Sequence, residues 1–181
     1  MANNNINIRK GIYTDLDYIE EIINLVVPIM NNNNNFQWAS NVYPLRKDFE
    51  KDINDGILYV ACNNNDEIVG VIALDTSCPI EYKDAGCDIN EKCIIPHRLA
   101  VHPNFQGKGI ALKLMNKAIE LAIENKYKYV RVDTNIINDK MQNMFNKIGF
   151  NCLGEIKLIG IIIILYYYYY YYYYYYYYIN S

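Results

Sequence analysis

Apolar positions recur along this chain with two periods, and the switches between them mark out its elements. Residues 6–11 alternate apolar and polar positions, the two-residue period of a strand. Ile19, Ile22, Ile23 and Val26 then follow at helical spacing. Thr14 is the candidate N-cap of that helix, acidic residues fill its first turn, and Pro28 is expected to end it. The asparagine run 31–35 reads as a solvated loop tip. A second helix is expected over 44–54, with Leu45, Phe49 and Ile53 at i, i+4 and i+8 and Gly56 behind them. Residues 58–62 and 68–75 read as strands joined by the turn Asn63-Asn64-Asn65-Asp66, a hairpin signal.

Residues 78–92 are polar and irregular, with Pro79 and Gly86, so a surface loop is expected there. A strand follows over 94–101 and a helix over 110–125, whose apolar stripe is Leu112, Met115, Ile119, Ala122 and Ile123. Then come a strand over 128–134, a short helix over 138–148 closed by Gly149, and strands over 150–157 and 159–165. The order is β-α-α-β-β-β-α-β-α-β-β, an α/β (α+β) pattern.

The chemistry concentrates in Leu99-Ala100-Val101-His102-Pro103-Asn104-Phe105-Gln106-Gly107-Lys108-Gly109-Ile110-Ala111. It reads as a strand end, a Gly-rich loop and a helix start. Two glycines one residue apart let a phosphate approach the main chain. The helix behind them offers unpaired N–H groups and the positive end of its dipole. Lys108 adds a positive charge. The third glycine of a dinucleotide fingerprint is missing, since Leu112 stands there, and no G-x-x-x-x-G-K-[ST] loop occurs.

Composition narrows the partners. The 181 residues carry a net charge of −3 with scattered Lys and Arg, which argues against nucleic acid. The five cysteines are odd in number and include no C-x-x-C pair, a poor framework for disulfides or zinc, so no metal is expected. They read as reduced residues of a cytoplasmic protein, and residues 1–7 lack the apolar core of a secretory signal.

The loop resembles the acyl-CoA loop of the GNAT superfamily of N-acetyltransferases, [QR]-x-x-G-x-[GA], with Gln106, Gly109 and Ala111 at its fixed positions. The segment from Asn138 through Phe145 to Gly149 and Phe150 also matches that family, so the resemblance covers roughly residues 6–165. It implies the GNAT fold: a mixed, mostly antiparallel central sheet flanked by helices. It further implies transfer of an acetyl group from acetyl-CoA to a primary amine, small molecule or protein, by direct attack through a tetrahedral intermediate.

On that resemblance, the backbones of Leu99 and Val101 would hold the pantetheine arm. The N–H groups of Gly107, Lys108, Gly109, Ile110 and Ala111 would hold the pyrophosphate, with Gln106 ordering the loop. Asn138 would touch the cofactor arm, and the Leu99 N–H would stabilise the oxyanion. Phe145 stands where many relatives carry a tyrosine that protonates the leaving thiolate; its ring would still pack on the cofactor arm, without a proton to give. Two-residue alternation puts Ile95, His97, Leu99 and Val101 on one face, making His97 the first candidate base, since an imidazole pKa of about 6.5 suits deprotonating an amine. A structural histidine is the equal alternative, and Glu91 is the second candidate base. Arg98 falls on the opposite face, where a salt bridge is the expected role. Trp38 and Tyr43 fall where the family forms its acceptor pocket, as substrate contacts or, for Trp38, as a lid packing on the core.

Residues 1–165 are thus expected to form one acetyltransferase domain, and residues 166–181 a low-complexity poly-tyrosine tail. Tyrosine prefers the membrane interface to the hydrocarbon centre, so a tail anchor is set aside. A second reading is a degenerate domain that binds CoA or a partner without catalysis. The acceptor and a homodimer both stay open.

Overall fold

The computed structural model describes residues 5–158 and 161–169. The chain divides into two compact units, Met1–Leu74 with Pro96–Lys117, and Asp75–Ile95 with Ala118–Ser181. Among the described residues, seven strands and four α-helices follow in the order β1 (Asn7–Lys10), α1 (Leu16–Asn32), α2 (Arg46–Asn54), β2 (Leu58–Cys62), β3 (Ile68–Asp75), β4 (Cys93–Val101), α3 (Ile110–Glu124), β5 (Tyr129–Asn135), α4 (Asp139–Ile148), β6 (Asn151–Leu158) and β7 (Ile161–Tyr169). This is the order expected from the pattern, and the seven-stranded sheet is mostly antiparallel, running β1-β2-β3-β4-β5-β7-β6.

In the first unit, β1, β2 and β3 pair antiparallel, and the turn after β2 is held by Asn63, whose side-chain oxygen accepts from Asn65 N at 2.9 Å and Glu67 N at 3.1 Å. Ile19, Ile22, Ile23 and Val26 of α1 pack with Phe49 of α2, Val60, Val71 and Ala100 in the core of this unit. Two expectations for α1 are corrected. Thr14 is not the N-cap: a 3-10 turn at Tyr13–Asp15 precedes the helix. There the Asp15 carboxylate accepts from Ile12 N at 2.9 Å and from the Arg9 fork at 2.6 and 2.8 Å. Nor does Pro28 end the helix, which runs on to Asn32. Pro28 lies on the exposed face, where the Asn24 carbonyl it leaves unpaired can turn to water. The asparagine run is therefore partly helical, and Asn35 is buried.

The glycine loop leads into α3, whose stripe is rotated from the expected one. Ile110, Leu114, Met115, Ala118 and Ala122 are buried while Leu112 and Ile123 are exposed, so the packed ridge follows the i, i+4 rows.

In the second unit, β4 and β5 pair parallel at Cys93↔Tyr129 and Ile94↔Val130, and β7 pairs antiparallel with both β5 and β6. Tyr82, from a 3-10 turn at Ile80–Ala85 in the expected loop, is fully buried with Cys93, Ile95, Ile156, Ile163 and Leu165. Its hydroxyl donates to Asp133 at 2.5 Å. All five cysteines are free, and burial pushes the Cys93 thiol up to about 12, which keeps it inert.

The last strand corrects its expected end. It was expected to stop at Leu165, yet β7 continues through Tyr169: Tyr166 opposes Val132 and Cys152, Tyr167 opposes Arg131 and Asn151, and Tyr169 opposes Tyr129. Tyrosine is a good strand former, and Tyr166 is buried, its ring 5.4 Å from that of Phe145. The tail expected beyond Tyr169 lies outside the described residues. A chain ended at Leu165 is accordingly expected to be about 3 kcal/mol or more less stable than one ended at Tyr169, since a buried aromatic is lost with its ladder. Thermal unfolding of the two chains isolates these four residues, and equal melting temperatures would remove them from the sheet.

Candidate functional site

The first unit holds the loop and its approach. Strand β4 ends at Val101, and His102 caps a 3-10 turn at Pro103–Phe105 by accepting from Asn104 N through Nδ1 at 3.2 Å. The Gln106 side chain donates to the Val101 carbonyl at 3.1 Å, tying the loop entrance to the strand end. Gly107 and Gly109 adopt φ of +75° and +77°, and a Cβ at either would meet no atom within 4 Å. Glycine is thus required here by backbone conformation, while the side-chain space above both residues stands open. Gly109 O accepts from Lys113 N at 3.0 Å, so Gly109 caps α3 and the N–H groups of Ile110, Ala111 and Leu112 lie in its unpaired first turn. Those donors, the helix dipole and the open glycines make a cradle that fits a pyrophosphate. Lys108 is exposed but tethered, its ammonium 3.0 Å from Asn104 O and 4.7 Å from the Phe105 ring centroid.

Further back on β4, Arg98 interrupts regular extended backbone with φ of +51°. Simple alternation therefore does not carry across it, which removes the face argument that set His97 beside Leu99 and Val101. Arg98 donates from Nε and Nη2 to the two oxygens of Asp52 on α2 at 2.7 and 2.5 Å, and from Nη1 to the Tyr43 hydroxyl at 3.0 Å. The salt bridge expected of Arg98 exists, but it is buried: Asp52 is 1 % exposed. Burial pushes the Asp52 carboxyl up from its ordinary range, against the Arg98 fork and the nearby His97, which pull it down. His97 is half-buried, as is Leu99. Trp38 is buried in the core with Phe49 and Leu58, the packing alternative, whereas Tyr43 is exposed.

The second unit holds the remaining candidates. Asn138 caps α4, its side chain accepting from Met141 N at 3.3 Å and donating to Thr134 Oγ1 at 3.1 Å. Glu91 accepts an ion pair from Lys128 at 2.7 Å. Phe145 is fully buried, its ring against those of Phe150 and Tyr166. Sequence reasoning missed Asp52, which sits among other charged residues of α2 and carries no motif. Among the described residues no cluster of His, Cys, Asp or Glu could hold a metal ion, and no helix is long and apolar enough to cross a membrane.

Residues 20–150 match the family model described as the acetyltransferase (GNAT) family. Among solved structures, the chain is similar to a GNAT-family acetyltransferase from Streptococcus agalactiae, at 24% identity over 91% of this chain and 95% of that one, with a TM-score of 0.77. A GNAT-family acetyltransferase from Listeria monocytogenes matches at 19% identity over 93% and 96%, TM-score 0.75. An acetyltransferase candidate from Salmonella typhimurium, solved with its cofactor acetyl-CoA, matches at 15% identity over 91% and 94%, TM-score 0.66. At these identities the likeness shows the fold.

Proposed function

The chain belongs to the GNAT acetyltransferase family, and on that premise we propose that it transfers an acetyl group from acetyl-CoA to a primary amine. The observation that carries this reading is the glycine cradle, Gly107 and Gly109 at positive φ with open space above them, leading into the first turn of α3. Acetyl-CoA would supply an activated acyl group. The amine nitrogen first adds to the thioester carbonyl, forming the C–N bond and placing the charge on oxygen; collapse of that adduct breaks the C–S bond, the amine gives up a proton and the departing thiolate gains one.

The loop amides from Gly107 to Ala111 hold the pyrophosphate, and the backbone of Leu99 and Val101 receives the pantetheine arm. The Leu99 N–H faces the oxyanion. His97 takes the amine proton through water, with Glu91, ion-paired to Lys128, as the second candidate. Phe145 donates nothing, so water protonates the departing thiolate, an easy task for a thiol of ordinary pKa near 8.5.

Turnover of acetyl-CoA against a broad amine panel tests the reading. His97→Ala is expected to lower turnover about a hundredfold near neutral pH, in the range of general-base catalysis, with acetyl-CoA affinity kept. Wild-type turnover at every pH would return His97 to a structural role. A second reading, a CoA-binding module without catalysis, is favoured by the absent hydroxyl at Phe145. It wins if acetyl-CoA binds and no amine is acetylated.

A further inference from the structure

Arg98 is half-buried and charged, and its left-handed conformation inside a strand persists for a non-glycine residue only when its surroundings hold it there. Two residues do so. Asp52 of α2 takes the guanidinium fork with both oxygens, and Tyr43, from the segment before α2, accepts the third bond. The pair is oriented: the Asp52 side chain is 2% exposed and that of Arg98 14%, so the negative end lies inside and the positive end faces outward at Tyr43.

The third bond decides what Tyr43 can do. Because Nη1 donates into the hydroxyl oxygen, the Tyr43 proton is directed away from Arg98, and Tyr43 is exposed. A phenol that accepts from a cation is a stronger donor in its turn. We propose that Arg98 is a positioning residue which, acting through the Tyr43 hydroxyl, selects acceptor amines that also carry a carboxylate, as amino acids do. A carboxylate at Tyr43 gains the hydrogen bond and the field of the outward guanidinium, whereas a simple amine gains neither.

This rests on the acetyltransferase reading above and deepens it. The test pairs each of several amino acids with the amine left by its decarboxylation, and measures kcat/KM for both with acetyl-CoA saturating. Wild type is expected to prefer the amino acid by about tenfold or more, what one hydrogen bond to a charged group supports. Tyr43→Phe, which leaves the Asp52–Arg98 pair in place, should erase most of that preference through KM for the amino acid. Arg98→Lys keeps the charge but loses the fork and should erase it as well. The double variant should lose no more than Arg98→Lys alone, because the two act as one unit. If Arg98→Lys does not fold, Tyr43→Phe alone decides. Amines acetylated without preference, or a preference that survives Tyr43→Phe, would overturn this inference and leave the transferase standing. Acetyl-CoA binding with no acceptor turned over would remove both.

Discussion

Acetyl-CoA is expected to raise the melting temperature of this protein, and Gly109→Glu is expected to abolish that rise. A ligand bound only by the folded state stabilises it by about 2.7 kcal/mol at a hundred times its Kd, a shift of several degrees. At Gly109 the substitution acts twice. Glutamate must adopt φ of +77°, which costs a non-glycine residue about 1 kcal/mol or more, so the unliganded variant should melt slightly lower. Its carboxylate then occupies the open space above the loop, where a phosphate would otherwise meet the first turn of α3. Gly109→Ala separates the two effects, because it carries the strain without the charge and should keep part of the shift. A full shift in Gly109→Glu would move the cofactor away from this loop.

Asp52→Ala is expected to destabilise the first unit by about 3 kcal/mol or more, because it breaks a buried ion pair. The reason is not that the ion pair is a strong stabiliser. Burial already pushes the Asp52 carboxyl up, so desolvation consumes much of what the fork returns. Removing Asp52 leaves the Arg98 guanidinium half-enclosed with a single hydroxyl partner. Asp52→Asn should cost less, since the amide oxygen still accepts one bond. Chemical denaturation of both variants provides the ranking, and an Asp52→Ala protein as stable as wild type would mean that Arg98 finds solvent without effort.

The loop was legible in the sequence because its chemistry is local. Gly107 and Gly109 sit where a turn must pass through positive φ, and the apolar strand before them and the helix after them carry clear periods. The element order was legible for the same reason. What was hidden depended on chain segments far apart in sequence. Asp52 and Arg98 are separated by 46 positions, and nothing in the spacing of either announces the fork. The positive φ at Arg98 also defeats a face assignment based on strict alternation, which assumes an unbroken pleat. Pro28 misled because a helix tolerates proline where its unpaired carbonyl faces water. The end of β7 was hidden because a run of identical residues has no period to read, although each tyrosine favours a strand.

That run has one more consequence. Thirteen identical residues from Tyr166 to Tyr178 make the chain indifferent to where within the run a tyrosine is gained or lost. Every such length change presents the same four side chains to β5 and β6, because the ladder is counted from Ile161 and Leu165, whose aliphatic side chains distinguish one alignment from the next. The sheet is therefore buffered against replication slippage in this stretch of its gene. The same indifference would not extend to the isoleucines before it: there, one residue more or fewer would slide every tyrosine by one place and turn each ring to the other face.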